Sequence, residues 1–260
     1  FYIDDLAINT QSNLERETGF HVTSISERDF NNLDSSSIET IRKTSDNIEA
    51  INGEKFWYEN MPESVHDLFP RYFGSIKNEN GFEIEKIRGV PFSHIFLEKL
   101  VTKKLIIHLL ESLDRIHCVD FKENITDINI YANYSNKLIK RYESYDYSKI
   151  EGSAFAYDKI LTELNEYEKN NDATISIIHG DPVFTNIILR ENEDFIFLDM
   201  RGEIDGKLTL YGDKWYDYAK IYQSILGYDE ILLDKVIDYE YRQEIKILYE
   251  EYINEKFGKD

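Results

Sequence analysis

The chain has 260 residues and one cysteine, so it can bury a core without a disulfide framework or structural metal, and Cys118 fits a reducing compartment. Fifty Asp and Glu against thirty Lys and Arg give a net charge of −20, which repels phosphate backbones and argues against nucleic acid as a partner. No run of about 18 apolar residues exists, and Phe1 to Asn9 carries Asp4 and Asp5 where a signal peptide needs positive charge, so no membrane insertion and a cytoplasmic location are expected.

Residue 1 is Phe rather than Met, which leaves room for an earlier start and another domain before it. Nineteen tyrosines and fifteen phenylalanines make an aromatic chain, many of them for the core. Cys118 reads as a packing residue near a helix end.

In chain order, residues 1–88 read as a small α+β unit and residues 89–260 as a mostly helical one with a short β insert. His21 to Ser26 and Ile38 to Ser45 are β-branched, partly alternating runs of strand type, joined by a polar connection from Glu27 to Ser37. From Asp46 to Met61 the spacing becomes helical, with Ile51, Trp57, Tyr58 and Met61 on one side and Pro62 ending the run. Arg71 to Ile76 and Phe82 to Ile87 flank Asn78-Glu79-Asn80-Gly81, a hairpin signal.

Arg88-Gly89-Val90-Pro91 reads as a hinge. Helical patterns follow at Leu100 to His117, Ile130 to Tyr145 and Ala154 to Lys169. The apolar run Thr174 to Ile178 leads into His179-Gly180-Asp181, and Ile187 to Arg190 with Asp194 to Leu198 form a strand pair. Helices resume at Asp213 to Leu226 and Asp238 to Phe257.

The strongest signal is His179-Gly180-Asp181-Pro182-Val183-Phe184-Thr185-Asn186, then Asp199 at the end of the apolar strand FIFLD. Phosphoryl transfer needs a carboxylate to orient and deprotonate the attacking hydroxyl, and oxygen ligands to hold Mg²⁺ against phosphates. One loop and one strand end supply all three: Asp181 as base, Asn186 and Asp199 as metal ligands. The bland reading is a polar turn and a capped strand end.

This pattern resembles the aminoglycoside phosphotransferase and choline kinase family, whose catalytic loop has the form H-G-D-x-x-x-x-N and whose metal-binding aspartate follows on a β-hairpin. The likeness runs from about Ile38 to Gly227. Protein kinases carry Arg where Gly180 stands, and no A-P-E element follows Asp199, so the small-molecule branch is favoured. A non-catalytic nucleotide-binding or scaffolding module, or a protein kinase, stands as the alternative.

The resemblance implies an α+β, two-lobed, protein-kinase-like fold with a small N-terminal sheet lobe and a larger helical lobe, and an enzyme that uses ATP, or GTP, with Mg²⁺. It implies a lysine for the phosphates, for which Lys43 at the end of IETIRK is the candidate, and a helical glutamate to orient it, for which Glu54 is the candidate. Backbone groups of Glu85, Lys86 and Ile87 would meet adenine. His179 and Asp217 are expected to support the catalytic loop, and Asp213 to cap a helix.

The stretch Glu27 to Ser37 contains no glycine and so departs from the G-x-G-x-x-G loop of protein kinases. Ser35, Ser36 and Ser37 are candidates to assist backbone amides there. Arg201 reads either as a phosphate contact or as a surface arginine. Trp215 and Tyr216 are substrate-contact candidates in the manner of choline kinases, and equally core residues. The segment from Tyr211 to Glu230 looks like that of bacterial members associated with surface-polysaccharide synthesis, which implies a sugar, polyol or amino-alcohol acceptor.

Overall fold

The computed structural model describes residues 31–34, 37, 39–119, 128–236 and 238–258. The expected strand His21 to Ser26 lies outside the described residues. Four strands, β1 (Asn31–Asp34), β2 (Thr40–Ser45), β3 (Tyr72–Ser75) and β4 (Gly81–Glu85), form an antiparallel sheet in the order β1-β2-β4-β3.

Strand β1 corrects the sequence reading, which takes Asn31 to Asp34 as part of a polar connection. Its register, from Asn31 opposite Ser45 to Asp34 opposite Arg42, is made by main-chain groups, for which side-chain polarity is no obstacle. Leu33 supplies an apolar side chain that packs on the core. Along β2 the alternation holds as read: Ile41, Lys43 and Ser45 are buried, and Arg42 is exposed.

Helix α1 (Ile48–Asn60) starts where the Asn47 side chain accepts the N–H of Ala50, and it stops ahead of Pro62, which disfavours helical backbone in the residue before it. Its buried face is Ile51, Gly53, Glu54, Trp57 and Tyr58. Trp57 is fully buried and packs on Phe69, in a 3-10 turn's wake after Glu63–Leu68. Burying each such large apolar group stabilises by roughly 1.5–3 kcal/mol.

Beyond β5 (Val90–Pro91) come α2 (Phe92–Leu97), α3 (Lys103–His117), α4 (Ser135–Ser144) and α5 (Ser153–Asn170). Then follow β6 (Ile175–Ile177), β7 (Ile187–Leu189), β8 (Phe195–Phe197), β9 (Glu203–Ile204), β10 (Lys207–Leu208) and β11 (Tyr211–Asp213). The chain ends in α6 (Lys214–Ile225), α7 (Tyr228–Leu232) and α8 (Tyr239–Phe257). The small strands pair as β5-β7-β8, β10-β9 and β11-β6.

Helix α3 begins later than the periodicity predicts because the Thr102 hydroxyl accepts from Leu105 N–H and sets the cap. Its residues Ile106, Leu109, Leu110, Leu113 and Ile116 recur at helical spacing, and each is wholly buried. They share one core with Ile221 and Ile225 of α6 and Ile245 and Tyr249 of α8. Cys118, expected to pack, is instead exposed: it is the C-cap of α3, past the last turn that faces the core. Among the described residues no helix is long and apolar enough to cross a membrane. The architecture is thus mixed α+β, a small sheet at the N-terminal side and a mostly helical remainder.

Candidate active site

The loop from His179 to Asn186 runs between β6 and β7, and its backbone is fastened residue by residue. The Asp217 carboxylate, fully buried on α6, accepts the N–H groups of His179 and Gly180, each at 2.8 Å, and lies 2.9 Å from His117 Nε2 on α3. Phe184 N–H donates to Ser224 Oγ at 3.0 Å and Thr185 N–H to Asp229 Oδ1 at 3.1 Å. Asn186 Nδ2 donates to the Asp181 carbonyl at 2.9 Å, closing the loop on itself.

His179 Nδ1 accepts the N–H of Asp181 at 3.1 Å. Burial lowers the imidazole pKa against the fields of Asp217 and Asp181, and a neutral ring is the form whose Nδ1 can accept. Gly180 sits at φ +86°, and a Cβ there would meet Arg201 Cβ at 2.7 Å. A side chain at 180 would push the loop off the segment that follows β8.

That segment carries Asp199. Leu198 N–H donates to the Asn186 carbonyl, and Ile187 pairs with Phe197, so the β7-β8 hairpin sets Asn186 beside the end of β8. Asp199 then turns through φ +60°. Close backbone approach brings α1 in: a Cβ on Gly202 would lie 1.8 Å from Gly53 O, and one on Gly53 2.2 Å from Arg201 O. No side chain fits between these segments, and the next residue along α1 is Glu54.

Lys43 fills the space this creates. Its Nζ is 2.6 Å from Glu54 Oε2 and 2.6 Å from Asp199 Oδ1, with Lys43 and Glu54 both buried. Burial works to lower the ammonium pKa, but Asp199 and Glu54 together outweigh it and leave it raised. The nearby Tyr58 hydroxyl is pushed well up, by burial first and then by Glu54 and Asp199.

The donor set at Asn186 and Asp199 is one amide and one carboxylate. Among the described residues no three His, Cys, Asp or Glu side chains converge to cage a metal. A pair of oxygen ligands suits Mg²⁺, which completes its shell with phosphates and water, and the Asn186 amide nitrogen is already committed to the Asp181 carbonyl, so its oxygen is the end with ligand character.

Other predicted residues lie apart from this cluster. Glu85 N–H donates to Arg71 O and its carboxylate meets Arg190 Nη2 at 3.2 Å; Lys86 N–H donates to Glu39 O. Two of the three N–H groups expected near adenine are thus already paired with main-chain carbonyls that flank the sheet. The Ile87 side chain is buried with Ile188, Ile196 and Leu198. Ser37 Oγ accepts from the N–H groups of Glu39 and Thr40; Ser35 and Ser36 lie outside the described residues. Asp213 caps α6 at Trp215 N–H and also receives the hydroxyls of Tyr134 and Tyr167.

Trp215 and Tyr216 part company, since neighbours on a helix point about 100° apart. Trp215, half-buried, packs on Tyr218 and Phe257, in keeping with the core alternative of its reading. Tyr216 instead shares the surroundings of Asp181. Sequence reasoning missed Lys220, whose Nζ is 3.0 Å from Asp181 Oδ1 with both groups buried. The signal was present, because Lys220 stands one turn beyond Asp217 on the same helix. It also missed His117, Ser224, Asp229 and the Gly53 contact.

No protein-family model matches the chain, and no curated protein sequence matches it. Solved structures do match in shape. The GDP and kanamycin complex of APH(2")-IIia superposes with TM-score 0.59 at 14% identity, over 95% of this chain and 97% of that one. Choline kinase LicA from Streptococcus pneumoniae gives 0.51 at 16%, over 92% and 88%. The Plasmodium vivax ethanolamine kinase Pv091845 gives 0.53 at 14%, over 94% and 72%. The chain therefore has the two-lobed, protein-kinase-like fold that aminoglycoside phosphotransferases share with choline and ethanolamine kinases.

Proposed function

We propose that the chain is a kinase that moves the γ-phosphate of ATP, or of GTP, to a hydroxyl of a small molecule. The observation that carries this reading is the convergence of Lys43, Glu54 and Asp199, from β2, α1 and the end of β8, beside a loop that presents Asp181 and Asn186. The GDP and kanamycin bound to APH(2")-IIia support a nucleotide donor and a small acceptor by likeness of fold.

In this reading residues 1–88 form the nucleotide lobe and 89–260 the catalytic lobe, hinged at Arg88 to Pro91. Lys43, oriented by Glu54, holds the α- and β-phosphates, and the main chain at Glu85 and Ile87 meets the base. Asn186 and Asp199 hold Mg²⁺, which when bound supplies charge neutralisation at the phosphates. Asp181 orients the acceptor hydroxyl and takes its proton as the new O–P bond forms and the nucleoside diphosphate leaves. Asp217 and His179 keep the loop in place. The helix α6 begins at Lys214, only fifteen residues past Asp199, too soon for the long activation segment of a protein kinase.

We place the acceptor among sugars, polyols and amino alcohols, in surface-polysaccharide synthesis, on the likeness of the segment from Tyr211 to Glu230. The test is a coupled nucleoside-diphosphate-release screen over sugars, polyols, choline, ethanolamine and aminoglycosides, with Asp181→Asn as the control. Release that depends on both acceptor and Asp181 is expected. Acceptor-dependent release that Asp181→Asn leaves intact would overturn the assignment.

A further inference from the structure

We infer that Lys220 is a positioning residue of the transfer step: its ammonium holds one oxygen of the Asp181 carboxylate and so aims the base at the acceptor hydroxyl. The inference rests on the kinase reading above and adds a residue that works through the base rather than on either substrate.

Helix α6 meets the loop in register. Asp217 accepts the N–H groups of His179 and Gly180, Lys220 Nζ lies 3.0 Å from Asp181 Oδ1, and Ser224 Oγ accepts the N–H of Phe184. Positions 217, 220 and 224 are i, i+3 and i+7 of one helix, so they share a face, and their order along α6 is the order of their partners along the loop. All three residues are buried. Lys220 thus stands on the turn of α6 that faces the base, between two turns that fix the backbone on either side of it.

The middle contact differs from the other two in its chemistry. Asp217 and Ser224 hold main-chain N–H groups, whereas Lys220 meets a side chain, the one to which the kinase reading gives the acceptor's proton. A buried ion pair is a poor device for stability, because the desolvation of both charges offsets their attraction and a well-packed apolar pair does as well. It is a good device for direction. The Asp181 carboxylate turns about two side-chain bonds, and an ammonium 3.0 Å from one oxygen restrains both. Lys220 is itself restrained, with the centre of the Tyr216 ring 5.8 Å from its Nζ.

The other acid of the site is set in the same way. Asp199 lies 2.6 Å from Lys43, so one carboxylate is held by a lysine from the sheet and the other by a lysine from the helices. In the transfer step the acceptor oxygen bonds to the γ-phosphorus, the bond from phosphorus to the nucleoside diphosphate breaks, and the acceptor's proton passes to Asp181. Lys220 neither gives nor takes a proton. Its part is to have the carboxylate in place beforehand.

The test is a double-mutant cycle on the full chain, in the parent, Lys220→Met, Asp181→Asn and the variant with both changes. Nucleoside-diphosphate release from ATP, and in parallel GTP, with Mg²⁺ is measured with water as acceptor and with the acceptor ranked first in the screen. Nucleotide affinity is read by calorimetry. Lys220→Met is expected to lower turnover about ten- to a hundred-fold, the scale of a misplaced reacting group, with nucleotide affinity held. In the Asp181→Asn background the same change should cost about two-fold or less, because a residue that acts through Asp181 has nothing further to lose there. Should Lys220→Met not fold, Lys220→Arg replaces it in the cycle: the charge is kept but placed differently, and the same coupling is expected. Losses that multiply between positions 181 and 220, turnover that is unchanged or rises without Lys220, or nucleotide affinity that falls in step with turnover would each overturn the inference. The kinase reading fails separately, on the absence in the parent of both diphosphate release and a melting shift with nucleotide and Mg²⁺, and takes this role with it.

Discussion

Lys43 and Asp199, 156 residues apart in sequence, meet at 2.6 Å, and Glu54 closes the triangle at 2.6 Å from the same ammonium. Two carboxylates around one cation, largely shut off from water, make the cation hard to remove. Lys43→Met leaves Glu54 and Asp199 facing each other without compensation. Loss of one partner from a buried ion pair costs about 3–5 kcal/mol, so the variant is expected to unfold at lower denaturant and to show no melting shift with ATP and Mg²⁺. A Lys43→Met protein as stable as the parent would show that the triangle is not a constraint on the fold.

Nucleotide with Mg²⁺ is expected to raise the melting temperature, because a ligand of the native state alone shifts unfolding by mass action. Asp199→Asn should reduce the part of that shift that depends on Mg²⁺ and leave the metal-free part. Titrations with and without EDTA separate the two. Equal metal dependence in parent and variant would remove Asp199 from the ligand set.

The loop itself hangs on Asp217. An asparagine at 217 has one acceptor oxygen and no charge for the N–H groups of His179 and Gly180, and it turns an NH₂ toward donors. Asp217→Asn is expected to cost about 2–3 kcal/mol in unfolding free energy. Turnover should fall more than nucleotide affinity, since Asp217 holds the His179–Gly180 end next to Asp181, while Asn186 at the other end is tied to Leu198. An unchanged turnover would show that these bonds do not position the base.

Much of this site is legible in the chain, and the reasons differ from residue to residue. Asp181, Asn186 and Asp199 stand out because one chemistry demands three residue types in order along a short stretch. Lys43 follows from strand alternation, which assigns Arg42 to the opposite face, and Glu54 from its place on the apolar stripe of α1. Strand β1 escapes notice because Asn31, Asn32 and Asp34 have low strand propensity and the pairing is made by backbone. Lys220 escapes because its spacing from Asp217 puts it on the same helix face, but only the fold shows that this face meets Asp181. The Gly53 and Gly202 approach is invisible for a similar reason: a glycine inside a helix reads as a weakness until its neighbour is known.

Asp229 offers a pH test. Its carboxyl is pushed up to about 7, chiefly by burial, with Glu230 and Asp181 adding and Ser224 and the Thr185 N–H opposing. Its ordinary value is 3.8, so between the two the folded chain holds a proton the unfolded chain has released. That contribution to stability is full below the ordinary value and is lost as pH rises through about 7, at up to about 1.4 kcal/mol per pH unit. Asp229→Asn keeps an acceptor for Thr185 without the titration. The variant should gain on the parent steadily from acid to neutral pH, in denaturant unfolding at matched ionic strength. Parallel stability curves would show that Asp229 titrates alike in both states.

Asp181 and Asn186 share a loop and a hydrogen bond, yet their replacement should produce different failures. The Asp181 side chain meets Lys220, while Lys43 is held by Glu54 and Asp199, so Asp181→Asn should leave nucleotide affinity nearly intact. Turnover should drop by roughly two orders of magnitude or more, the scale of losing a general base. Asn186→Ala removes an oxygen ligand and the donor to the Asp181 carbonyl together, so nucleotide and metal should weaken in step and the loop should loosen. Affinity is read by calorimetry with ATP and Mg²⁺, and turnover by nucleoside-diphosphate release. If both variants lose affinity and turnover in the same proportion, the loop acts as one structural unit and Asp181 has no separate role as base. If both keep both, the site holds nucleotide without using it, and the scaffold reading gains over the enzyme.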